Sequence, residues 1–88
     1  MKLKEGFMLR EIAGSWIIVP LGERVVEFKS MMTLNGSAAL IWKQLESGAD
    51  FDGLVTSVIN EYDVDEPTAR ADVEQFVSMI TKKGLIES

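Results

Sequence analysis

The chain contains no cysteine and no histidine. The first absence excludes a disulfide framework and any thiolate metal site. The second removes the usual general base near neutral pH and the commonest metal ligand. Positive charge is also scarce, with nine Lys and Arg against fourteen Asp and Glu, a net charge of −5. Phosphate binding wants the opposite sign, so affinity for nucleic acid or an anionic membrane is disfavoured. Long apolar runs are missing too. The chain starts Met1-Lys2-Leu3-Lys4-Glu5-Gly6, and no signal-peptide core of about 7–15 apolar residues follows. No segment approaches the roughly 20 apolar residues that span a bilayer. The expectation is a cytoplasmic protein of one domain, 1–88, holding no cofactor and no metal.

What is present is enough for one core: 47% of the 88 residues are hydrophobic and 26% charged. The first half is rich in β-branched and aromatic residues. Strands are predicted over 7–12 and 16–20, joined by Ala13-Gly14-Ser15, where Gly14 supplies the positive φ of a tight hairpin. Pro20, Leu21 and Gly22 break the second strand. A third extended stretch is predicted over 24–33, with a bulge or bend across Phe28 to Met32 where the alternation fails.

The back half reads as helices over 36–47, 51–62 and 66–83. Asn35 is a good N-cap, and Ala38, Ile41, Trp42 and Leu45 recur at helical spacing behind it. Asp50 caps the second helix, whose stripe is Phe51, Leu54, Val55, Val58, Ile59 and Tyr62. Asp65 caps the third, with Pro67 in its first turn and Ala69, Val73, Phe76, Val77 and Ile80 on its buried face. Gly48 and Gly84 stand where C-terminal glycines are expected, and Lys82 and Lys83 complement the last helix dipole. Leu85 and Ile86 fold back as a short apolar tail. Three strands followed by three helices make an α+β chain whose sheet keeps two open edges. An open edge, rather than a catalytic group, is where function is expected.

The candidates for chemistry have plainer explanations. Glu61-Tyr62-Asp63-Val64-Asp65-Glu66 is the densest acidic cluster, but it lacks the glycine and the distant bidentate Glu of a calcium loop. It reads as a solvated linker that caps a helix. Asp72 and Glu74 are two apart on a helix and point away from each other. Ser30, Ser37 and Ser57 have no histidine to activate them, and the isolated Gly36 and Gly53 form no phosphate loop. Trp16, Trp42 and Phe76 fill the core. Met31-Met32 stands apart, because consecutive strand residues point to opposite faces. At most one is core, and the other suits an adaptable apolar groove.

Several of these residues resemble the PqqD family, small peptide-binding proteins of pyrroloquinoline quinone biosynthesis whose fold is the RiPP precursor recognition element. The resemblance is carried by residues 6–14, by Leu34-Asn35 with Ala38-Ala39-Leu40-Ile41-Trp42 and Leu45, by Glu61-Tyr62-Asp63-Val64-Asp65, by Asp72-Val73 with Phe76, and by Lys83-Gly84-Leu85. It implies a winged-helix-like α+β fold, a three-stranded antiparallel β-sheet followed by a three-helix bundle. It implies no catalysis: such a domain binds the leader segment of a ribosomally made precursor peptide and presents it to a modifying enzyme, a radical SAM protein in the family of that name. The leader adds as a strand along the third strand, under the third helix. Carried over, the peptide-binding residues are Val25, Val26, Phe28, Ser30, Met31, Met32 and Thr33 on the strand side. On the helix side they are Asp72, Gln75, Phe76, Met79 and Lys83. Two other readings are a winged-helix DNA-binding domain, opposed by the acidic third helix, and a small dimer pairing through its open sheet edge. Monomer and homodimer both fit the peptide-binding reading.

Overall fold

The structure, a computed structural model, describes residues 2–27 and 32–87. Its main sheet has three antiparallel strands in the order β2-β3-β4, where β2 is Phe7–Ile12, β3 is Ser15–Pro20 and β4 is Met32–Leu34. A lone helical turn, α1 (Arg24–Glu27), precedes β4, and three helices follow it: α2 (Gly36–Glu46), α3 (Phe51–Tyr62) and α4 (Glu66–Lys82). This is the expected α+β arrangement of a three-stranded antiparallel sheet and then three helices. Two further strands, β1 (Lys2–Leu3) and β5 (Ile86–Glu87), pair antiparallel at the two ends of the chain.

The helices begin where capping chemistry puts them. Asn35, Asp50 and Asp65 each accept, through Oδ1, an amide hydrogen of the first turn, from Ala38 (2.8 Å), Gly53 (2.8 Å) and Thr68 (2.9 Å). The hydrogen bonds from Thr68, side chain first and then backbone, hold the Asp65 carboxyl below its ordinary range. Helices α2 and α4 end one residue short of expectation because Ser47 and Lys83 are their C-caps.

One prediction fails outright. Residues 24–27 were expected to extend the third strand, and they form a helical turn instead. After Gly22, which has φ +55°, the Arg24 amide donates to the Leu21 carbonyl (3.0 Å) and the Val25 amide to that of Gly22 (3.2 Å). Arg24 Nε then donates to the Glu5 carbonyl at 3.0 Å, and the guanidinium lies 5.7 Å from the centre of the Phe7 ring. This tether outweighs the weak β preference of Val25-Val26. The predicted bend across Phe28 to Met32 lies, but for Met32, outside the described residues.

The core lies between the inner face of the sheet and the three helices. Ile18, Leu34, Ile41, Trp42, Leu54, Val58, Val73 and Ile80 are buried within it. The predicted tail behaves as expected: Leu85 is buried, and Ile86 pairs with Leu3.

Candidate functional site

The site begins with the hairpin. Ile12 pairs with Ser15 across Ala13 and Gly14, whose φ values of 52° and 82° are both positive, as in a type I′ turn. At the far end of the ladder the Leu21 amide donates to the Gly6 carbonyl at 2.8 Å. Antiparallel pairs alternate between exchanging and not exchanging backbone bonds. Ser15, Ile17 and Val19 therefore turn their backbone groups toward β2, and Trp16 and Ile18 turn theirs toward β4. Opposite Trp16 and Ile18 stand Leu34 and Met32. Thr33, between those two, points both its amide and its carbonyl away from β3, out of the sheet.

That open edge looks into a groove of about 270 Å³. Thr33, Asn35 and Ser37 form one side, while Asp72, Gln75 and Met79 of α4 form the other. Its floor is apolar, made by Ala38 and Ile41 of α2 and by Phe76 of α4. Five of the twelve sequence-derived site residues thus come together: Thr33, Asp72, Gln75, Phe76 and Met79. Met32 packs against the core and pairs with Ile18. Val25, 53% exposed, and Val26 lie in α1, and Lys83 is the exposed C-cap of α4. Neither Val25 nor Lys83 lines the groove. Phe28, Ser30 and Met31 fall outside the described residues.

The sequence reading missed the α2 contribution. In the sequence Ala38 and Ile41 read only as part of an apolar helical stripe. The signal available was size: an alanine on that stripe leaves a hollow where a larger residue would fill the space. A second hollow of about 360 Å³ continues the groove past Asp72, lined by Asn35, Gly36, Ser37, Val58, Tyr62 and Val64. A Cβ on Gly36 would lie 3.1 Å from the Tyr62 hydroxyl, a close contact that a small shift of that exposed ring relieves.

Among the described residues, Asp72 has neither an ion pair nor a hydrogen bond. Arg70, by contrast, reaches Asp52 (3.4 Å) and Glu66 (3.3 Å), and stands 5.5 Å from the centre of the Phe51 ring. The Glu66 hydrogen bond, ahead of that to Asp52, raises the Arg70 pKa further above its ordinary value. The two edges of the sheet also differ in charge. Strand β2 carries Arg10 and Glu11, whereas β4 (Met-Thr-Leu) carries none.

Two solved structures share the fold. One is TbiB1 in complex with the TbiA(beta) leader peptide, 25% identical, with a TM-score of 0.80 over 100% of this chain and 96% of that one. The other is lasso peptide synthetase B1 complexed with the leader peptide, 20% identical, with a TM-score of 0.78 over 99% and 96%. No curated protein gives a match. The family model described as coenzyme PQQ synthesis protein D matches residues 16–86, which takes in the open edge, the groove and every helix that builds it, and the chain belongs to that PqqD family.

Proposed function

We propose that this chain is a non-catalytic peptide-binding domain. It captures the leader segment of a ribosomally made precursor peptide by β-strand addition at β4, against α4, and presents the peptide to a modifying enzyme. A radical SAM maturase is the partner that family membership favours. The observation that carries this reading is the pairing of outward backbone groups at Thr33 with an apolar floor beneath them. Strand addition draws affinity from the backbone and selectivity from side-chain pockets. The leader peptides bound to the two structural relatives support the same role.

The choice of edge follows from charge. Charged residues on an edge strand blunt further pairing. Arg10 and Glu11 therefore guard β2, whereas β4 is unguarded. DNA binding is disfavoured by Glu66, Asp72 and Glu74 on α4.

Magnitudes say what else the leader must supply. Two or three backbone hydrogen bonds contribute about 0.5–1.5 kcal/mol each. Micromolar affinity needs about 8 kcal/mol. One buried aliphatic side chain contributes about 1.5–3 kcal/mol. A single apolar anchor is too little, so the leader places at least two.

The test is an amide NMR titration of the isotope-labelled chain with the leader part of a precursor peptide encoded beside its gene. Saturable shifts at Thr33 and along α4 from Asp72 to Met79 are expected. Met79→Glu, which puts a carboxylate over the apolar floor, weakens binding at least tenfold, while Ser78→Glu on the exposed side of α4 leaves it unchanged. Shifts confined to β2, or none with the peptide at hundreds of micromolar, would overturn the reading.

A further inference from the structure

The two hollows meet at Asp72. It lines both, together with Asn35 and Ser37. Those two neighbours are already engaged, since Asn35 Oδ1 accepts from the Ala38 amide at 2.8 Å and from Ser37 Oγ at 3.1 Å. Among the described residues lining either hollow, Asp72 is the sole formal charge. It is exposed and, among the described residues, unpaired. On one side of it lies the floor of Ala38, Ile41 and Phe76, with Met79 beside it; on the other lie Val58, Tyr62 and Val64. The groove is therefore apolar, then acidic, then apolar.

The spacing matches an extended chain. From Asp72 to Phe76 is four helical residues, about 6 Å along α4 at 1.5 Å each. Alternate side chains of a strand stand on one face about 6.6–6.8 Å apart. A strand lying beside α4 with one side chain over Phe76 brings its next same-face side chain to Asp72. The one after that reaches the second hollow. Asn35 takes up one amide of the amino end of α2, so the α2 dipole offsets the Asp72 charge only partly.

We infer that Asp72 is a specificity-determining residue, and that the groove selects a peptide of the pattern apolar-x-(Lys or Arg)-x-apolar, with the cation on Asp72 and an apolar side chain in each hollow. This rests on the peptide-binding reading above and adds the chemistry of the ligand. The second hollow supplies the additional anchor that micromolar affinity would call for. The net charge of −5 favours the same class of ligand at longer range.

The experiment uses the full chain and a positional-scanning library of fluorescein-labelled, end-blocked twelve-residue peptides. Peptides are built with an apolar residue at a fixed place, and every residue type is scanned two and four positions to either side. For the wild type, Lys or Arg is favoured over Glu at one of the two-away positions by about three- to fivefold, the size of a partly screened ion pair. Apolar residues are favoured four away on that same side. Asp72→Asn levels the charge preference, and Asp72→Lys inverts it to Glu with the apolar preferences intact. Amide shifts at Thr33 and Met79 report whether the groove is occupied, and the dispersion of the free spectrum reports folding. Groove-bound peptides whose charge preference ignores Asp72→Lys would overturn the inference and leave peptide binding standing. If no peptide moves the groove amides, the peptide-binding reading falls and the inference with it.

Discussion

Ala13 is the one residue in the hairpin that works against its own conformation. It sits at φ 52°, where an L-residue with a Cβ costs about 1–2 kcal/mol, while Gly14 beside it bears no such cost. The turn needs positive φ at both places, and Asn tolerates it better than Ala. Ala13→Asn is therefore expected to stabilise the chain by about 0.5–1 kcal/mol, seen as a rise in Tm of about 4 °C in a thermal melt. Ligand affinity stays the same, because neither turn residue lines the groove. Gly6 shows the converse constraint: with φ +96°, a Cβ built on it would stand 2.5 Å from Arg24 Cγ. At this scale the sequence was readable wherever a side chain acts on its own neighbours. Asn35, Asp50, Asp65, Gly48 and Gly84 all cap or terminate as their types predict. Arg24 was not readable, because its partner, the Glu5 carbonyl, is nineteen residues away.

At the scale of elements, β4 carries the proposed function although it is only three residues long. Its outer residues, Met32 and Leu34, tie it to β3 and leave Thr33 free to offer a donor and an acceptor. Thr33→Pro deletes that donor and leaves the ladder to β3 untouched, and Met32 is already extended, as a residue before proline prefers. The expected result is a loss of leader affinity of about two- to tenfold, the worth of one hydrogen bond, with the circular dichroism spectrum unchanged. Intact affinity would mean that the peptide uses no backbone donor at 33. A proline at 26, which a strand over 24–33 would recommend, tests nothing about the edge, because that residue belongs to α1. The helices were legible from their 3.6-residue stripes. The α4 wall of the groove, Asp72, Gln75, Phe76 and Met79, is reached from the sequence only through the family resemblance. The α2 floor was not legible, because a stripe that serves both a core and a hollow looks like a stripe that serves a core alone.

The molecule as a whole is held by contacts of two ranges. Hairpin and helix-pair contacts join neighbours in the chain, and these are what periodicity and turn chemistry foretell. The pairing of β1 with β5 joins residues at opposite ends, and no local pattern announces it. Lys2 stands across from Glu87 and Leu3 across from Ile86, and the Lys4 amide donates to the Leu85 carbonyl at 2.9 Å. Topologically the domain is a ring with a narrow gap. A ring has no privileged starting point, so a few Gly and Ser residues bridging the gap let the backbone be cut elsewhere. The exposed Gly48, between α2 and α3, is a suitable place. Such a circular permutant is expected to keep the same dispersed amide spectrum and leader affinity within about twofold. Failure to fold would show that α2 and α3 must be made in sequence. By the same closure, the domain fits as an insert within another chain, entering and leaving its host through one doorway.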